Sequence, residues 1–140
     1  MTPTRILVIR CVASVLLLAG AGPALAHHSF AMFDHTRTVT LKGEVTRFQW
    51  TNPHALLELD VPGPDGIKHF TLELTSINMM QRLGWRSNYI KAGDKVKAVM
   101  APLANGEAGG LLLEITLPDG RTLEPGVPAA GTFKRTPEAQ

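Results

Sequence analysis

Two adjacent histidines, His27 and His28, follow Ala24-Leu25-Ala26, a small-x-small tripeptide of the kind at which secretory leaders are cut. A cut after Ala26 makes His27 the first residue of the mature chain. A terminal histidine offers its α-amine and its imidazole to one metal ion, a chelate that no internal histidine can form. The amine titrates near ~8, so Cu(II), the strongest competitor among divalent first-row ions, can displace its proton near neutral pH. Ser29 occupies the third position, where amino-terminal copper and nickel motifs carry a histidine. A copper site here therefore needs another imidazole, and the candidates are His28, His35 and His54. Asp34 precedes His35 and is placed to orient its ring from outside the coordination sphere. The competing reading leaves both terminal histidines solvated, and a cut at another bond abolishes the chelate.

A second group is Trp50-Thr51-Asn52-Pro53-His54. Asn-Pro forms a turn, and His54 then falls on the polar phase of the run that follows, which places Trp50 and His54 together at a barrel mouth. The bland alternative has Trp50 plugging the barrel and His54 bonded to a loop carbonyl. Met79-Met80 adds thioethers, which suit cuprous copper, although neighbours on a helix point about 100° apart and methionine commonly fills cores. His69 sits on the polar phase of its strand and reads as exposed. The serines have no recognisable His/Asp partners, the acids form no glycosidase-like pair, and Gly109-Gly110 lacks a phosphate-loop context. A binding protein fits better than an enzyme, although oxidative polysaccharide cleavage also uses a terminal-histidine copper site.

These residues must be delivered by an exported chain. Arg5 and Arg10, the apolar run Cys11–Ala21 and Pro23 complete the pattern of a signal peptide over residues 1–26. Its removal takes two of the 14 basic residues and none of the 12 acidic ones, so the apparent positive charge disappears. A nucleic-acid partner loses its electrostatic support. The one cysteine, Cys11, leaves too, which excludes disulfides and thiolate metal sites in the mature chain; Val8-Ile9-Arg10 before it is unlike a lipoprotein box. No later apolar run approaches the roughly 20 residues of a membrane span. A periplasmic or secreted location follows, with no membrane association once the leader is cut.

The elements that position the chemistry are strands. Val39, Leu41, Gly43 and Val45 alternate with polar residues, and the phase then slips to Phe48 and Trp50, which predicts a bulge near Thr46-Arg47. Ala55, Leu57, Leu59 and Val61 form a second run, and Phe70, Leu72 and Leu74 a third across the Pro62–Gly66 turn. Ser76 caps a short helix, Ile77–Leu83, ended by Gly84. Val96, Ala98 and Met100 make a fourth strand and Leu111, Leu113, Ile115 and Leu117 a fifth, after a loop over Asn105–Gly110. Three strands, a helix and two strands predict an all-β, small OB-like five-stranded barrel over residues 27–124, with a small open sandwich as the competing fold. The Pro/Gly/Ala-rich residues 125–140 read as a disordered tail.

His27-His28-Ser29-Phe30, Phe33-Asp34, Leu41-Lys42-Gly43, Trp50–His54, Arg82–Trp85 and Lys91–Asp94 together resemble a family of small exported bacterial proteins of unknown function. The likeness spans residues 27 to 123 and departs at Thr75–Asn78, where that family carries small residues and Pro-Asn. It implies export and a single domain, and no activity. A looser resemblance, of fold and ligand type, is to periplasmic copper chaperones of metal-efflux systems, small OB-like barrels that use His, Met and Trp.

The leading expectation is copper held by His27 with His28 or His54, and His35 in reserve. The rival is an interaction module in which Phe48, Trp50, Trp85 and Tyr89, with Met79 and Met80 beside them, face an unidentified periplasmic partner or a small hydrophobic ligand. Burial separates the two: a plugged barrel removes the rival's surface.

Overall fold

Alternation along residues 39–45 produces a strand with Leu41 and Val45 inside, and the phase slip seen in the sequence becomes a bulge. The register between this strand and its partner shifts between Val45 and Arg47, so Phe48 and Trp50 are half-buried against the core despite their changed phase. The computed structural model describes residues 30–127 and Phe133. Its elements are β1 (Val39–Gln49), β2 (Leu56–Gly63), β3 (Gly66–Glu73), α1 (Ile77–Arg82), β4 (Lys95–Pro102), β5 (Gly109–Thr116) and the two-residue β6 (Thr122–Leu123). A 3-10 turn at Phe30–Met32 precedes them.

β1 serves two neighbours in succession. Val39–Glu44 pairs antiparallel with β4, and Glu44–Gln49 pairs antiparallel with β2. This stagger tilts the strands enough for the sheet to curl. The curl closes where the end of β3 meets the start of β5 in parallel, Thr71 opposite Gly109 and Glu73 opposite Leu111. The result is a closed five-stranded barrel, with the short helix between the third and fourth strands and β6 added outside on β5. Closure explains Gly109 and Gly110. A Cβ on Gly109 would stand 2.9 Å from the Thr71 carbonyl oxygen, and one on Gly110 would strike the Ala101 carbonyl and lie 2.8 Å from Met100 Sδ. The segment read as a loop through Gly110 therefore yields its last two residues to β5.

The helix carries a large side chain into the barrel by its ending. Ser76 accepts a hydrogen bond from Met79 N at the start. At the end, Gly84 takes φ +87°, its N–H reaches the Gln81 carbonyl, and Trp85 N–H reaches that of Met80. This is the Schellman pattern, in which the residue after the glycine packs back on the last turn. Trp85 and Met80 are both 0% exposed as a consequence, among Leu57, Leu59, Leu72 and Ile115. Each such aliphatic side chain contributes about 1.5–3 kcal/mol on burial.

A second apolar cluster lies apart from this interior: Phe33, Ala101, Leu111, Leu113, Val127 and Phe133. It corrects two expectations. Leu111 and Leu113 belong to this cluster and not to the barrel interior, which Leu112 and Ile115 occupy; a register shift between Val99 and Met100, opposite Glu114 and Leu112, changes the parity. Of the residues read as a disordered tail from Pro125, those the structure describes include three that are packed. Pro125 is fully buried, and Val127 and Phe133 are 7% and 5% exposed, because Leu111, Leu113 and Phe33 give these few apolar residues a surface to cover.

Candidate functional site

His54 is set by strand phase. Ala55, Leu57 and Leu59 point inward and are buried, so His54, Leu56 and Glu58 take the outer face. β3 presents Glu73 on that same face, directly opposite Leu56 in register. The loop that carries His54 is tied down on both sides. Ala55 and Leu74 continue the ladder through Ala55 N to Thr75 O and Leu74 N to Ala55 O, and the Asn52 side-chain oxygen accepts from Ile77 N at the helix start. The Asn52–Pro53 peptide is cis. In this setting His54 Nδ1 meets Glu73 Oε1 at 2.5 Å, with the two side chains 31% and 24% exposed. A carboxylate on Nδ1 fixes the tautomer and ring direction and makes Nε2 the nitrogen a metal would take.

Glu73 also lines a cleft of about 300 Å³ with Met32, Phe33, Leu56, Glu107 and Gly109. The N-terminal segment is fastened at this cleft. Ala104 N–H donates to the Met32 carbonyl, Phe33 bridges Leu103, and Asp34 N–H donates to the Pro102 carbonyl. His27 and His28 lie outside the described residues. The first fastened residues after them line the same cleft as Glu73.

The other candidates are placed as follows. His35 stacks flat on Phe133, with ring centroids 4.4 Å apart and planes 10° from parallel, at the second apolar cluster. Asp34, expected to orient His35, is instead occupied by Thr36 and Arg37: it accepts from Thr36 Oγ1 at 2.6 Å, Thr36 N at 2.8 Å and Arg37 Nε at 3.0 Å. Those Thr36 hydrogen bonds, from side chain and then backbone, and the Arg37 hydrogen bond lower its pKa to about 2. Trp50 meets Phe48 edge-on at 5.8 Å and is half-buried against the core. His69 pairs across the β2–β3 hairpin with Asp60, Nδ1 to Oδ1 2.8 Å, and is about half exposed. Among the described residues, no three His, Asp or Glu side chains converge as a metal group.

The aromatic surface fares differently. Trp85 lies in the barrel core and donates its Nε1–H to the Glu124 carbonyl at 2.9 Å, so it offers no face to a partner. Met80 is equally enclosed, and Met79 lies against Gly126 of the C-terminal segment. Tyr89 carries the Arg121 guanidinium over its ring at 4.4 Å. Trp85 and Met80 are thus corrected from surface to core, for the reason given above: the Gly84 turn folds Trp85 onto Met80.

Three residues at or near the site escaped the sequence reading. Glu73 and His54 are 19 positions apart and meet only through the β2–β3 register. Met32 stands four residues after His28, a nearness that was legible but carried no ligand pattern. Phe133 lies in a segment whose composition argued against packing. A larger cleft, about 690 Å³, crosses the outer face of β1, β2 and β4. Size alone would favour it, yet it mixes Lys42, Lys95 and Lys97 with Glu44 and Asp60 and contains no imidazole or thioether. The smaller cleft is also lined by no imidazole, but it has the Met32 thioether and Glu73, the carboxylate that meets His54. No helix among the described residues is long and apolar enough to cross a membrane.

No curated protein and no solved structure matches this chain. The model of one family, described as a family of unknown function (DUF6152), matches residues 14–114, well over half of the sequence, and the protein belongs to that family.

Proposed function

We propose that the protein is an exported, periplasmic or secreted copper-binding protein, in which mature His27 supplies amine and imidazole and His54 supplies a further imidazole. The observation that carries this reading is the meeting of two features at one cleft. His54 is directed by Glu73, and Glu73 shares a cleft with Met32, where the N-terminal segment is fastened. His28 is four residues from Met32, a reach of at most about 14 Å of extended chain. In this reading the N-terminal chelate and the oriented His54 imidazole hold one ion between them, and His28 is a second candidate for the remaining position. His35, stacked on Phe133, stays in reserve. A carrier or sensor of copper fits this arrangement, because a site on the outer face of a small barrel is open to transfer of the ion.

The interaction-module reading gains no support from the burial of Trp85 and Met80. The test is a Cu(II) titration of protein purified after export, with parallel EPR, for wild type and His54→Gln. One-to-one binding with nitrogen hyperfine structure, weakened in His54→Gln, is the expected result. Binding that is unchanged in His54→Gln would remove His54 from the site.

A further inference from the structure

The larger cleft, about 690 Å³ on the outer face of β1, β2 and β4, is of a size that accepts a small organic molecule. Strand register sorts its side chains into two rows across the sheet. In the first, Lys95 stands opposite Glu44, Glu44 opposite Asp60, and Asp60 opposite His69, whose Nδ1 lies 2.8 Å from Asp60 Oδ1. Each carboxylate of this row has a basic neighbour. Lys42 and Pro62 each lie two residues from the Glu44–Asp60 pair, in the same direction because the strands are antiparallel, and so share its face. They belong to the second row. There Lys97 stands opposite Lys42, and Pro62 opposite Ile67, so two ammonium groups are followed across the sheet by two apolar side chains. All four line the cleft. Like charges directly opposite each other on a sheet are destabilising, and Ile67, at 73%, is the most exposed large apolar side chain among the described residues. Neither feature serves the fold.

We propose that this cleft binds a small organic anion of the alkyl carboxylate class, with Lys42 and Lys97 holding the carboxylate and Pro62 and Ile67 covering the chain. The ammonium–carboxylate contacts are charge-assisted and fix the head. From β1 to β3 is two strand spacings, about 9–10 Å, which a medium-length alkyl chain covers. Laying that chain over Ile67 removes the exposed apolar surface from water. The first row limits the head to a single charge. Glu44 and Asp60 lie beside Lys42 and repel further negative charge, which disfavours a polyphosphate or a nucleic-acid backbone. The site shares no lining residue with the cleft that contains Glu73, and it does not depend on the copper reading.

The experiment titrates sodium octanoate by calorimetry into the protein purified after export, in EDTA so that metal plays no part, and records amide NMR spectra alongside. Acetate tests the charge without the chain, and octyltrimethylammonium the chain without the negative charge. One-to-one binding of octanoate is expected, with amide shifts confined to residues 42–46, 60–67 and 95–97 and with neither control binding as tightly. The double variant Lys42→Gln/Lys97→Gln is expected to bind octanoate about tenfold more weakly, and Ile67→Ser about fivefold more weakly. The urea midpoint of the double variant should stay level or rise, because a like-charge pair is removed. The comparison of the three probes on wild type needs no variant, so it decides the matter even where a substitution lowers stability. Octyltrimethylammonium or acetate binding as tightly as octanoate overturns the proposal. So does equal octanoate affinity in wild type and the double variant, or amide shifts elsewhere, or no binding at millimolar octanoate.

Discussion

Replacing Glu73 by glutamine separates what the carboxylate does for His54 from what His54 does for the metal. Glutamine keeps an oxygen that can accept the Nδ1 proton, so the ring can stay oriented, but the negative charge beside the ring is gone. Partners of this kind change metal affinity by 10–100-fold, or about 1.4–2.7 kcal/mol. The two side chains are 31% and 24% exposed, and water screens part of the charge effect, so the lower part of that range is expected: about 10–30-fold weaker Cu(II) binding. The fold should hardly notice, since a partly exposed pair contributes about 0.2–1 kcal/mol to stability. The assay is competition calorimetry against a calibrated chelator, with urea unfolding of the apo proteins alongside. Glu73→Gln binding copper as tightly as wild type, when His54→Gln does not, would refute a role for the charge of the carboxylate.

Trp85→Phe removes the indole N–H that serves the Glu124 carbonyl and leaves a small void in the core, a loss of about 2 kcal/mol in urea unfolding; an unchanged midpoint would show that the tail contact is idle. Gly110→Ala forces a Cβ against the Ala101 carbonyl and Met100 at the barrel closure and is expected to cost about 1–3 kcal/mol, whereas Gly63→Ala, whose Cβ meets only the Gly66 carbonyl at 3.4 Å, is expected to be nearly neutral by the same assay. Asp34 has a folded pKa of about 2 against an ordinary 3.8, so its ionised form is favoured by folding. The stability it provides is present above pH 3.8 and is lost as pH falls through about 2; Asp34→Asn should abolish that part of the acid dependence, read as the wild-type minus variant difference in urea midpoint across this window.

The parts of the fold legible in the sequence were those set by neighbours along the chain. The slip from Val45 to Phe48 announced the bulge, Ser76 and Gly84 bracketed the helix, and the Pro62–Gly66 turn marked the hairpin. Parity in β5 was misread because a period of two assumes one face in water. Phe33, Val127 and Phe133 cover what would have been the wet face, and they come from both ends of the chain. The same nonlocality hid the surroundings of His54: His54 was a visible candidate, but its partner Glu73 is chosen by strand register. Whether Trp85 faced a partner or the core stayed open in the sequence because the turn that buries it depends on the positive φ of Gly84, which the sequence marks only as a helix end.

The central claim is that the α-amine of His27 binds copper, and one comparison addresses it directly. Mature protein beginning at His27 is titrated with Cu(II) beside a variant with one extra residue placed before it, with EPR recorded on both. The account predicts tight one-to-one binding with nitrogen hyperfine structure in the first and its loss in the second, because the extension converts the amine into an amide. Equal binding by the two proteins would contradict it.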